Sequence, residues 1–113
     1  MNTVNLIIYP ASDVAKAKEF FATLLGTQPY VDSQRYVGFR TGEMEIGIVP
    51  QSDVSGGALA YVDVSDIKAA LATLIAAGAQ KMQDVTDVGY GLLVASVKNL
   101  DGTPVGLRQK PTA

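Results

Sequence analysis

The sequence predicts an α+β fold made of two βαβββ modules in a pseudo-symmetric repeat, and three observations carry that expectation. Each half of the chain holds one amphipathic helix pattern, opened by Ser-Asp and stopped by Gly. A short β-rich run precedes each helix pattern, and three more follow it. The halves also echo in sequence: Ser12-Asp13-Val14 matches Ser65-Asp66-Ile67, and Ile46-Gly47-Ile48 matches Val105-Gly106-Leu107. Neither half alone has the bulk for a comfortable core. One domain over 1–113 is therefore expected, with module one at about 1–50, a linker at 50–57 and module two at about 58–113.

Val4 to Tyr9 is rich in branched residues and reads as a strand ended by Pro10. Ser12-Asp13 offers a capping oxygen, Ser12 being the expected cap. Val14, Ala17, Phe20, Phe21, Leu24 and Leu25 then recur at helical spacing up to Gly26. Three strand candidates follow at 30–32, 36–40 and 44–49, with Thr41-Gly42 as a hairpin signal between the last two. The segment 50–57, PQSDVSGG, is rich in turn formers. The pattern then repeats: a strand at 58–64, a cap at Ser65-Asp66 with Ser65 expected to serve, a helix at 67–77 and a stop at Gly78. Strands at 79–84, 90–98 and 103–110 complete it, the last two joined by Asn99-Leu100-Asp101-Gly102.

Composition narrows the chemistry. A net charge of −2 leaves no basic field to hold nucleic acid or an anionic membrane. With no Cys and no His, thiolate nucleophiles, zinc–thiolate sites and the usual general base are all missing. The apolar runs fall well short of the roughly 20 residues a spanning helix needs. The first residues, Met-Asn-Thr-Val-Asn, lack the basic and apolar regions of an export signal, so the expected compartment is the cytoplasm. No serine has a His to activate it, and the Gly56-Gly57 and Gly89-Tyr90-Gly91 stretches lack the ending of a phosphate loop.

The run SDVAKAKEFFATLLG from Ser12 to Gly26, the tail LDGTPVGL from Leu100 to Leu107 and the doubled βαβββ order together resemble the vicinal oxygen chelate superfamily. This is the glyoxalase, bleomycin-resistance and extradiol-dioxygenase group, and the resemblance runs from Val4 to Gln109. It implies mixed sheets that curl into U shapes and a cup-like cavity for a small ligand. Enzymes of that group hold a divalent metal through His and Glu. Carried over residue by residue, the first His position falls at Leu6 and the second near Leu59, while the Glu positions fall at Gly47 and Gly106. All four are vacant, so no metal, no cofactor and no catalytic residue is assigned. The two glycines read either as kinks where the sheet curls or as places where a ligand approaches bare backbone.

With Gly47 facing the cup, strand alternation brings Glu45 to the same side, and the resemblance adds Leu6 and Ile8. Parity on the later strands adds Tyr61, Asp63 and Arg108 beside Gly106. Glu45 and Arg108 read either as solvated side chains or as a mutual pair, with Arg108 alternatively gripping a ligand carboxylate. For the segment 36–40, parity leaves open whether Tyr36, Gly38 and Arg40 or Val37 and Phe39 face inward. The favoured expectation is a metal-free small-molecule-binding protein, acting as a homodimer, whose cup takes a neutral or cationic organic ligand. The alternative is a glyoxalase-like lyase or isomerase using Glu45 or Asp63 as base, with or without a weakly held divalent ion.

Overall fold

The computed structural model describes residues 1–111. The fold is α+β, with the order β1 (Thr3–Ala11), α1 (Val14–Leu25), β2 (Val31–Asp32), β3 (Val37–Thr41), β4 (Met44–Pro50), β5 (Leu59–Asp63), α2 (Ile67–Ala76), β6 (Gln80–Asp87), β7 (Leu93–Lys98) and β8 (Pro104–Gln109). Asn5–Leu59 forms one compact unit, and a second runs from Ala60 to the C-terminus together with Met1–Val4. The first unit orders its strands β2-β3-β4-β1 and the second β6-β7-β8-β5, so the same mixed arrangement occurs twice. In each, the first strand lies parallel to the last, β1 beside β4 and β5 beside β8, and the remaining pairs are antiparallel.

Each helix covers one face of its own sheet. Under α1, Phe39 and Ile48 are fully buried beside Val37, Ala11 and Phe21. Phe21 meets the Tyr9 ring at 4.8 Å and the Phe39 ring at 6.4 Å, distances at which aromatic edges and faces attract. Under α2, Ile67, Leu71, Ala95, Val97 and Leu107 form the corresponding cluster. Burial of each large side chain contributes about 1.5–3 kcal/mol, and this fixes which face of every strand turns to its helix.

The helix ends differ from expectation by one residue. Asp13, not Ser12, caps α1 by accepting the Lys16 amide at 3.1 Å, and Asp66, not Ser65, caps α2 through the Ala69 amide at 3.1 Å. The aspartates sit in extended conformation directly before the first helical residue, which is the cap position; the serines stand one residue too early. Gln109 Oε1 accepts the Ile67 amide at 2.8 Å and ties α2 to β8. Gly26 closes α1 in the left-handed region at φ 70.

Strand limits also shift. Pro10 does not end β1, which continues to Ala11 with Pro10 opposite Val49 in the parallel ladder. The β7 strand begins at Leu93, not Tyr90, because Gly89, Tyr90 and Gly91 all take positive φ and turn the chain. In the linker, Asp53 accepts both the Ser55 hydroxyl at 2.6 Å and the Ser55 amide at 3.0 Å, and these hold its carboxyl below the usual range.

Replacing either capping aspartate should destabilise the fold by about 0.5–2 kcal/mol, as loss of a helix cap does. Urea unfolding of Asp13→Ala and Asp66→Ala checks this. Ser12→Ala and Ser65→Ala should leave the midpoint unmoved.

Candidate functional site

With Val37, Phe39, Ile46 and Ile48 turned to α1, alternation sends Tyr36, Gly38, Arg40, Glu45 and Gly47 to the opposite, open face of module one. Gly38 stands opposite Gly47, and Arg40 opposite Glu45. Leu6 and Ile8 join this face from β1, opposite Glu45 and Gly47 respectively. The two glycines are a floor on which side chains lie. A Cβ on Gly47 would fall 2.5 Å from Tyr36 Oη and 2.6 Å from Ile8 Cδ1; one on Gly38 would fall 2.9 Å from Tyr36 Cε2 and 3.1 Å from Tyr30 Cε1. Only a bare backbone admits the Tyr36 ring here.

Glu45 is the acceptor at the centre of this face. Tyr36 donates its hydroxyl to Glu45 Oε2 at 3.3 Å. The Tyr30 phenol is pushed up to about 12, first by burial and then by Glu45, which accepts its proton in a hydrogen bond and repels the phenolate; Arg40 opposes the shift in part. Arg40 also lays its guanidinium 4.2 Å above the Tyr30 ring, a cation–π contact. Glu45 thus takes its partners from the phenols of its own module.

Module two builds its open face in the same way. Val62, Leu107 and Ala95 belong to the helix side, so Tyr61, Asp63, Gly106 and Arg108 share the other. The Tyr61 ring lies over Gly106, where a Cβ would fall 2.5 Å from Tyr61 Cδ2 and 2.7 Å from Cγ. Burial raises the Tyr61 phenol above its ordinary value. Beside it, Arg108 grips Asp63 bidentately, Nε to Oδ1 at 2.6 Å and Nη2 to Oδ2 at 3.1 Å. Side-chain exposures of 9% for Arg108 and 17% for Asp63 make this a buried ion pair, with Lys110 Nζ at 3.7 Å.

All eight residues expected at the site therefore lie on the open face of their own module: Leu6, Ile8, Glu45 and Gly47 in the first, Tyr61, Asp63, Gly106 and Arg108 in the second. The sequence reading leaves Arg108 solvated, paired with Glu45 or gripping a ligand carboxylate, whereas in the structure it pairs with Asp63. Tyr30, Tyr36 and Arg40 are absent from the expected set. Among the described residues the helix sides also carry open grooves, one of about 450 Å³ along Val14, Lys18, Asp32 and Val37, and another of about 610 Å³ along Leu71, Ile75, Lys81 and Val85. Neither gathers acceptors and rings as the open faces do.

No family model matches the chain, and no curated protein matches it. Solved structures do. A glyoxalase/bleomycin resistance protein/dioxygenase superfamily member from Vibrio splendidus 12B01 aligns over 97% of this chain and 100% of its own at TM-score 0.73 and 14% identity. A methylmalonyl-CoA epimerase from Streptomyces coelicolor aligns over 100% and 97% at TM-score 0.72 and 12% identity. An NAD-dependent benzaldehyde dehydrogenase from Legionella pneumophila aligns over 95% and 99% at TM-score 0.75 and 18% identity.

The chain has the vicinal oxygen chelate fold.

The fold group implies a divalent metal, and the residues present do not fit one. The resemblance would put its carboxylates at Gly47 and Gly106, and the space above each of these glycines is filled by a tyrosine ring. Leu6, to which the resemblance would assign the first imidazole, is a buried hydrocarbon. Among the described residues no three His, Cys, Asp or Glu side chains gather as a ligand set.

Two outcomes test these faces. Removing one partner of the buried pair strands the other charge, so Asp63→Ala should cost about 3–5 kcal/mol, and adding Arg108→Met should recover most of it in urea titrations. For Tyr30, the folded value near 12 lies above that of an unfolded tyrosine at about 10. Its contribution is complete below the unfolded value and lost as pH rises through the folded one. Melting temperature should therefore fall between these two values, and Tyr30→Phe should flatten that fall.

Proposed function

We propose that the protein is a metal-free small-molecule-binding protein of the glyoxalase/bleomycin-resistance type, holding a neutral or cationic organic ligand. One observation carries the proposal: in both modules an aromatic ring lies over a strand glycine, Tyr36 over Gly47 and Tyr61 over Gly106, at the positions to which the resemblance would assign a metal-binding carboxylate. Such a face offers ring surface and hydrogen-bonding groups, the usual equipment of organic-ligand sites. The proposal includes a homodimer, since β6 pairs with a neighbour on one side only within its module and a second chain can cover such an edge. It also includes a cytoplasmic location, which agrees with the finding that, among the described residues, no helix is long and apolar enough to cross a membrane.

A second reading, a lyase or isomerase with a carboxylate base, draws support from Glu45 alone. That side chain is half-buried and has phenol donors beside it. Asp63 is a poor candidate, because both its oxygens already accept from Arg108.

Excess Mg, Mn, Ni or Zn should leave the melting temperature unchanged, whereas members of a library of small aromatic amides and amines should raise it. A saturable rise with one metal, removed by Glu45→Gln, overturns the metal-free reading. Light scattering at micromolar concentration should return twice the chain mass, and a monomer refutes the dimer.

A further inference from the structure

The Glu45 cluster has a chemical bias that deepens the ligand-binding reading and rests on it. We propose that the open face of module one selects neutral planar molecules that donate a hydrogen bond, with Glu45 as the acceptor and the Tyr36 ring as the packing surface.

The first support is the length of one of Glu45's bonds, the one it accepts from Tyr36 beside that from Tyr30. Tyr36 Oη stands 3.3 Å from Glu45 Oε2, longer than the usual 2.5–3.0 Å of an O–H···O bond. A ligand N–H at ordinary distance forms a better, charge-assisted bond to the same oxygen. Because Glu45 has only acceptor atoms, the ligand must bring the hydrogen.

Charge then excludes the ionic alternatives. An anion would have to approach the Glu45 carboxylate. A cation would enter beside Arg40, which stands opposite Glu45 in the β3–β4 register and is held in place over the Tyr30 ring. The cluster holds one carboxylate and one guanidinium, so a neutral donor meets neither repulsion. Planarity follows from the floor: Gly38 and Gly47 let the Tyr36 ring lie across the sheet beside Ile8, and ring surface favours planar partners.

Benzamide, benzoate and benzamidine share one ring and differ in charge and donors, so they separate these terms. Ligand-observed NMR titration of the three at constant ionic strength should give saturable millimolar binding of benzamide, at least severalfold tighter than either ion. Glu45→Gln should weaken benzamide about tenfold, the difference between a charged and a neutral acceptor. Tyr36→Phe keeps the ring and removes the competing hydroxyl, so benzamide should bind as well or better; a general structural loss would weaken it. Arg40→Ala should move the preference toward benzamidine. Benzamidine or benzoate binding the wild-type protein as tightly as benzamide overturns the inference and leaves the ligand-binding reading standing. Absence of binding by all three, together with a library that gives no thermal shift, overturns both.

Discussion

Every functional feature of this molecule depends on strand alternation held in place by burial. Phe39 and Ile48 have no exposed surface, and together with Val37 and Ile46 they bind one face of module one to α1. Leu107, Ala95 and Val97 do the same under α2. Because the side-chain period in a strand is two, a slip by one residue would expel these groups into water and bring Glu45, Arg40 and Arg108 under the helices. The cores therefore set the composition of the open faces without touching them. Tyr36 and Glu45 meet because their apolar neighbours on the other side are fixed.

The glycines turn this alternation into a surface. At Gly47 the atoms a Cβ would strike are the tip of Tyr36 and the end of Ile8, parts of side chains that can swing away. At Gly106 the obstacles are Cγ, Cδ2 and Cε2 of Tyr61, near the root of the ring, where rotation about the Cβ–Cγ bond leaves Cγ in place and only a swing of the whole side chain gives relief. Module two thus holds its aromatic group the more rigidly, and the buried Asp63–Arg108 pair beside it reinforces that rigidity. In module one the tyrosine over the glycine reaches it with the tip of its ring and makes a longer hydrogen bond, 3.3 Å to Glu45.

Much of this was legible in the sequence. The doubled helix patterns with their Gly stops and the Ile-Gly-Ile and Val-Gly-Leu echoes lead to the two modules and to the faces of Glu45, Gly47, Gly106 and Arg108. The cap residues escaped by one position because Ser and Asp both cap well and stand side by side. Tyr36 and Arg40 escaped although the information was present. Cross-strand partners share a face, and a two-residue turn near Gly42 brings an even-numbered residue of β3 opposite Gly47 wherever it is placed within two residues. Tyr30 was out of reach, since it lies before β2 and reaches the face by side-chain length, held by the hydrogen bond its amide donates to the Gly38 carbonyl at 2.9 Å. The Asp63–Arg108 pair needed the parallel register of β5 and β8, which connect through a helix and two further strands and leave no local mark.

That register also explains why two carboxylates on equivalent open faces differ in chemical freedom. Asp63 stands directly opposite Arg108, and its short side chain brings both oxygens onto the guanidinium fork. Glu45 likewise stands opposite an arginine, Arg40, yet that guanidinium is drawn over the Tyr30 ring. A fork on a carboxylate in a dry site is hard to displace, because any ligand taking one partner leaves the other charge buried. Phenols at a carboxylate can be displaced one at a time, each finding water or ligand in exchange. The aromatic contact with Tyr30 thus holds the Arg40 guanidinium over a ring, and Glu45 keeps phenols as its hydrogen-bond donors.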